Sequence, residues 1–337
     1  MKNTFGSSVC LTIFGESHGP AIGAVLDGLC AGLPVDEAFI ARQMDKRRAR
    51  GDGLSTGRTE ADRVHLLSGV LNGRTTGTAI ALLIENKAQR SGDYAKTQDL
   101  LRPGHADFTA YAKYGGWQDS RGGGHFSGRI TAPLVAAGAI CQQVLAARGI
   151  TIATHIQAAA GVEAMRSAIR AAGAEGDSVG GILETAVLGL PAGVGEPFFD
   201  SVESVLSHLL FSIPAVKGVE FGLGFGFAGL RGSQANDPFR MEEGRVVTAT
   251  NHNGGVNGGI ANGMPLVFRT AVKPTPSIYK PQQTVDYVAK RDAELQIQGR
   301  HDPCIVHRAA VVQTCAAALG LLDLLTTCEG TRSQKEN

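Results

Sequence analysis

The chain has 337 residues, 43% hydrophobic and 19% charged, enough to bury one large core or two moderate ones without disulfides or a structural metal. A net charge of +1 argues against a broad nucleic-acid surface or an anionic membrane as partner, so any anion binding must come from local clusters. Six cysteines (Cys10, Cys30, Cys141, Cys304, Cys315, Cys328) form no Cys-x-x-Cys pair, which points to a reducing, cytoplasmic setting. Met1 to Gly6 has no apolar signal region. The longest apolar run, near Ile130 to Cys141, carries Thr131 and Pro133 and reads as too short to cross a bilayer.

In chain order, apolar runs bounded by glycine predict strands at Val9 to Phe14 and Ala21 to Leu26. Asp36 to Arg48 follows Pro34 with an acidic first turn and a basic last turn, a helix signature. Strands are then expected at Val64 to Val70 and Ala79 to Ile84, and a helix at Thr131 to Arg148 with its proline in the first turn. The second half predicts a strand at Ile182 to Leu188, a helix at Asp200 to Phe211 and strands at Val219 to Gly224 and Leu266 to Val272. Helices at Gln282 to Leu295 and Ala309 to Leu325 complete the expectation, the last apolar nearly all round, as an interior helix should be.

Two stretches repeat. Gly28-Leu29-Cys30-Ala31-Gly32 is echoed by Gly189-Leu190-Pro191-Ala192-Gly193, and Gly69, Val70, Gly73, Gly77 and Lys87 align without gaps with Gly255, Val256, Gly259, Gly263 and Lys273. The helices after Arg129 and Arg308 keep the same order. The expected fold is therefore α+β: one domain over residues 1–337, with related halves of roughly 1–150 and 180–330 and helices between two antiparallel sheets.

Three segments set a histidine beside glycine, proline or an acid: Gly15-Glu16-Ser17-His18-Gly19-Pro20, Arg102-Pro103-Gly104-His105-Ala106-Asp107 and Arg300-His301-Asp302-Pro303. Imidazoles in such loops, flanked by arginine, suit proton transfer to an anionic substrate. His18 also has a plain reading as a turn cap, and Asp302 as a helix cap. Gly15 to Gly19 matches the Gly-x-Ser-x-Gly of serine hydrolases, with Ser17 as nucleophile, but a nucleophile elbow must lead into a helix, whereas Pro20 precedes a strand-like run. Lys46, Arg47, Arg48, Arg50 and Arg58 surround a glycine-rich stretch that fits a loop closing over a multiply charged substrate. Lys273-Pro274-Thr275-Pro276-Ser277 offers a cation and two hydroxyls at a strand exit, a candidate phosphate or cofactor contact. No metal-ligand spacing occurs, and Gly222-Leu223-Gly224-Phe225-Gly226 lacks the helix and distant acid of a dinucleotide fold.

Taken in order, these segments resemble the chorismate synthase family. Further matches lie at Thr76-Gly77-Thr78, Arg121-Gly122-Gly123-Gly124, Ser127-Gly128-Arg129, Lys217-Gly218-Val219-Glu220, Arg231-Gly232-Ser233 and Lys273-Pro274-Thr275. The resemblance covers nearly the whole chain. It implies trans-1,4-elimination of phosphate from 5-enolpyruvylshikimate 3-phosphate to give chorismate, with reduced FMN required, no net redox change, an external reductant and a homotetramer. By matching position it gives His18 protonation of the leaving phosphate, His105 a place by the flavin, and Asp302 with Ser17 assistance in proton removal through flavin N5. It gives Arg47, Arg48, Arg102, Arg129 and Arg300 the substrate anions, to which the loop argument adds Arg58. His125, Phe126, Ser127, Pro214, Ala215, Gly258, Lys273, Pro274, Thr275, Pro276, Ser277 and Arg300 fall at FMN contacts.

The chain departs from the family pattern at several of these places. The family usually has arginine and serine at His125 and Phe126, asparagine at Pro214, serine at Pro276 and glutamate at Thr314. These changes imply weaker flavin binding, and they leave a non-catalytic binding relative as the alternative to an enzyme.

Overall fold

The computed structural model describes residues 2–49, 55, 62–87, 99–158, 161–297 and 301–333. One antiparallel sheet runs in the order Thr4–Phe5, Cys10–Gly15, Ala21–Asp27, Ile80–Glu85, Val64–Leu66. A second runs Val216–Phe221, Leu266–Val272, Gly181–Leu188, Thr151–Gln157. Each strand buries one face: Ile80, Leu82 and Ile84 are fully enclosed, as are Leu183 and Val187, the period-2 alternation expected of a sheet covered on one side.

Between the sheets lies a layer of helices. Thr131–Ala147 packs on the first sheet, and Val306–Ser333 on the second, and the two helices pack on each other. Where they cross, a Cβ on Gly138 would meet the Cβ and carbonyl oxygen of Cys315 at 2.5 Å, so only glycine allows this approach. Glu37–Arg47 and Val202–Ser212 flank the pair. Each is capped at its N-terminus, by Asp36 accepting from the Phe39 N–H and Ser201 from the Ser204 N–H. A buried carboxylate ties the last helix to the first sheet: Asp323 accepts from the backbone N–H groups of Ser7, Ser8 and Val9 at 2.7–3.1 Å.

Gly128–Ala147 and Val306–Thr331 are both long and apolar enough to cross a membrane, which corrects the shorter span read from the sequence. Their most apolar windows are 72% and 83% buried inside the fold. They form its core, whose apolar surface drives folding.

Gln282 to Leu295, expected as a helix, is a hairpin of Gln282–Asp286 and Arg291–Leu295. Its apparent helical stripe is not buried, since Val285 and Val288 are exposed. The turn is set locally: Asp286 Oδ1 accepts from the N–H groups of Val288 and Ala289, and Lys290 takes φ +53°. Among the described residues three α-helices went unforeseen, Asp107–Tyr114, Val162–Ala174 and the single turn Gly232–Ala235. The second buries only Ile169, too little for a strong apolar period.

The repeated glycines take matching conformations. Gly28 and Gly32 have φ of 89° and 87°, Gly189 and Gly193 82° and 92°. The N–H groups of Gly32 and Gly193 donate to the carbonyls of Thr75 and Ala261, each in the second strand of a two-stranded hairpin.

Candidate active site

A cavity of about 1020 Å³ opens where the end of the Glu37–Arg47 helix, the glycine turn at residues 122–124, Pro214-Ala215, the strand exit at 273–277 and the start of the last helix converge. Single small-molecule sites run to roughly 300–1,000 Å³. There is room here for two ligands side by side.

Both loop histidines rest on the glycine turn. Gly122 (φ +57°) lies against the His18 ring and Gly123 (φ +85°) against the His105 ring, where a Cβ would stand 2.0 and 3.0 Å from the respective Cε1 atoms. Glycine is needed twice over, for the left-handed backbone and for the contact. Ser17 Oγ lies 3.1 Å from His18 Nδ1, and the Ser17 N–H donates to the Gly124 carbonyl. His105 Nδ1 lies 2.9 Å from Asp107 Oδ1, which fixes the ring and leaves its Nε2 toward Gly123 and the cavity. His125 Nδ1 meets the Gly15 carbonyl at 3.0 Å, locking the same turn to the first sheet.

The arginines come with carboxylates. Arg47 donates through Nη1 to Asp62 at 3.0 Å, through Nε to Thr131 and through Nη2 to the Gly128 carbonyl. Arg129 Nη1 pairs with the other oxygen of Asp62, and its Nε donates to Asn86. Burial alone would raise the Asp62 pKa, but Arg47 and Arg129 together hold it below the usual carboxylate range. Arg102 grips Asp107 with Nε and Nη2 at 2.8 and 2.6 Å. There too burial raises, and the His105 and Arg102 contacts more than reverse it, so Asp107 stays ionised. Asp302 accepts from Arg308 Nη1 at 2.7 Å, while Arg308 Nε donates to the Arg47 carbonyl.

The opposite wall is the strand exit. Lys273 Nζ donates to the Gly104 carbonyl, and the Lys273 N–H donates to the Ala215 carbonyl from a residue at φ +76°. Ser277 is buried, and Thr275 Oγ1 is buried with no hydrogen-bond partner. A buried orphan hydroxyl is costly unless a ligand satisfies it. Lysine, two hydroxyls and backbone N–H groups fit the phosphate and polar chain of a flavin mononucleotide.

Of the residues singled out in the sequence, Arg47, Arg48, Arg102, His105, His125, Phe126, Ser127, Arg129, Pro214, Ala215, Lys273, Thr275, Pro276, Ser277 and Asp302 all line this cavity. His18 and Ser17 stand behind Gly122, which lines it. Pro274 is not in the lining, and Gly258 sits exposed at the turn of the Val256–Asn257 and Ile260–Ala261 hairpin. Arg50, Arg58 and Arg300 lie outside the described residues. Asp62, Arg308 and Lys217 also line the cavity, although none of them was expected as a site residue. Only the expectation of a counter-charge for each buried arginine could have pointed to Asp62. Among the described residues no group of three or more His, Cys, Asp or Glu is placed to hold a metal.

The serine-hydrolase alternative fails on topology. The Gly15 to Gly19 turn joins strand Cys10–Gly15 to the antiparallel strand Ala21–Asp27, with no helix behind the serine.

The family model for chorismate synthase matches residues 9–326. The chain belongs to the chorismate synthase family. It is 48% identical over 323 residues to the chorismate synthase of Chitinophaga pinensis, covering 96% of both chains. It is 45% identical to those of Dehalococcoides mccartyi and Methanosarcina acetivorans, covering 96% and 95% of each pair. A crystal structure of a chorismate synthase superposes with a TM-score of 0.74 at 28% identity, covering 95% of this chain and 92% of that one. Family membership makes the chain a carbon–oxygen lyase of the shikimate pathway and of aromatic amino-acid biosynthesis, and the family is flavin-dependent.

Proposed function

We propose that the large cavity is where this chorismate synthase family member removes phosphate from 5-enolpyruvylshikimate 3-phosphate, with reduced FMN held along the wall from Lys273 to Ser277. The observation that carries this reading is the His105 imidazole seated on Gly123 among a set of arginines, with the His18 ring packed directly behind Gly122 and one buried, unsatisfied threonine hydroxyl on the same cavity.

Ser17 engages His18 Nδ1, so Nε2 is the atom that gives a proton to the departing phosphate, making it a better leaving group. Asp107 holds His105 through Nδ1 and keeps Nε2 available beside the flavin ring. Asp302, steadied by Arg308, takes up the proton lost from the substrate ring, with Ser17 assisting. In this reading Arg48, Arg102 and Arg129 supply positive charge to the substrate carboxylates and phosphate, while Arg47 holds the wall in place through Asp62 and Thr131. Arg58 and Arg300 join them in this reading. When bound, the reduced flavin lends electron density to the breaking C–O bond and recovers it without net redox change. His125 and Phe126 replace polar groups, but their neighbours Ser127, Lys273, Thr275 and Ser277 supply donors enough. Ala215 contributes backbone, Pro214, Pro274 and Pro276 stiffen the loops, and Gly258, exposed on its own hairpin, takes no part in this cavity.

We further infer a cytoplasmic homotetramer supplied with reduced flavin by a separate reductase. Phe198, Phe199 and Phe225 are 86–90% exposed, more aromatic surface than a monomer usually leaves in water. A duplicated chain is our reading of the matching glycine turns and of two sheets that, once the two-residue edge strand Thr4–Phe5 is set aside, each order their strands first, second, fourth, third.

The test is anaerobic incubation with reduced FMN and the phosphorylated enolpyruvyl shikimate. Inorganic phosphate should appear with chorismate, and His18→Ala and His105→Ala should each slow it by about ten- to a thousandfold. No release at high protein concentration would favour a binding relative.

A further inference from the structure

The proton taken from the substrate ring has to leave a cavity whose front is covered by ligands and walled by arginines, which repel a departing hydronium. Behind that cavity lies a second one of about 260 Å³, lined among others by Arg170, Ala174, Asp177 and Tyr279. Ser277, His301 and Asp302 line both, so they form the partition. The Asp302 side chain is 11% exposed and paired with Arg308. Beside it the His301 ring stacks on Tyr279 at 5.4 Å between centroids, and its backbone N–H donates to the Tyr279 hydroxyl at 3.3 Å. Asp177, which also lines this second cavity, is paired with Lys280 at 2.8 Å. At about 30 Å³ per molecule, several waters fit in the rear cavity.

We propose that the rear cavity is the exit for the ring proton, with His301 as the ionisable group that passes it from Asp302 to solvent. This rests on the role given to Asp302 above. The substrate C–H and C–O bonds break, the C–H electron pair becomes a new ring double bond as the existing one shifts toward the carbon losing phosphate, and phosphate leaves with the C–O electron pair and a proton from His18. The ring proton goes to an Asp302 carboxylate oxygen, then through water and the His301 imidazole to the bulk. One proton enters by His18 and one leaves by His301, so no outside oxidant or reductant is consumed. Imidazole is suited to the task because it takes up and releases a proton near neutral pH.

Two variants test this, His301→Ala, which removes the carrier, and Ala174→Trp, which plugs the exposed mouth. The readouts are phosphate release, its solvent deuterium isotope effect, and FMN affinity from quenching of flavin fluorescence. Both variants should lose about tenfold or more in kcat, with a larger isotope effect and with KM and FMN affinity unchanged. Added imidazole should restore His301→Ala but not Ala174→Trp. The exit is overturned if both variants keep kcat within about twofold of wild type, or if imidazole leaves His301→Ala unimproved. Wild-type protein that releases no phosphate brings down the reaction itself, whereas an active wild type with unaffected variants brings down the exit alone.

Discussion

Gly122 faces the imidazole of His18 so closely that a methyl group on it would stand 2.0 Å from Cε1. The ring would have to move, and the backbone φ of +57° would be strained at the same time. A displacement of about 1 Å at a reacting group can cost on the order of a hundredfold in rate. Gly122→Ala is therefore expected to slow phosphate release by about that factor while remaining folded by circular dichroism. Wild-type turnover would show that His18 is not the proton donor.

Asp62 is shared by two buried guanidinium groups, with side-chain exposure of 4% for Arg47 and 2% for Asp62 itself. Replacing it with alanine removes the carboxylate that both cations share. Breaking such a pair costs about 3–5 kcal/mol, which urea unfolding of Asp62→Ala should read directly. A change within ~0.5 kcal/mol would mean that solvent reaches the arginines after all.

Asp237 accepts from the Thr250 hydroxyl, the N–H groups of His252 and Asn253 and the Asn253 side-chain amide. Burial pushes its pKa up, but these donors prevail and bring it down from 3.8 to about 2. A carboxyl depressed by folding contributes stability that is full above its unfolded value and fades as pH falls through the folded one. The stability advantage of wild type over Asp237→Asn should hold near neutrality and shrink from pH 3.8 toward about 2. A difference independent of pH in that window would contradict the assignment.

Cys30 is exposed and Cys10 half-buried, while Cys141, Cys304, Cys315 and Cys328 are buried. Burial pushes the Cys141 thiol up to about 12, and those of Cys304 and Cys315 up as well. A thiol reagent should label Cys30 first, Cys10 slowly and the other four only on unfolding, as mass spectrometry of peptides can show. Rapid labelling of Cys141 in the folded protein would contradict the helix packing.

The strands were legible because burial on one face writes itself into alternation, as in Ile80–Glu85, and the two central helices because burial on every face leaves a long, continuously apolar run, as in Thr131–Ala147. Gln282 to Leu295 misled because Val285 and Val288 fall at a helical interval although nothing covers them. The Asp286 turn overrode the pattern. For the site, short polar motifs were enough to find the histidines and the Lys273 wall. Which arginines carry a carboxylate was hidden, since Arg47 and Asp62 meet only when the first helix, the glycine turn and the chain near residue 62 come together. Sequence spacing holds no trace of that meeting.

The contact between Gly138 and Cys315 reaches beyond the core. The large cavity takes Arg47 and Arg129 from one half of the chain and Lys273 and Arg308 from the other, so its width follows from how near the two central helices lie. That gauge is set by a single missing side chain. A bulkier residue there would wedge the halves apart and misfit both ligands at once, a loss of affinity arising from a position that neither of them touches.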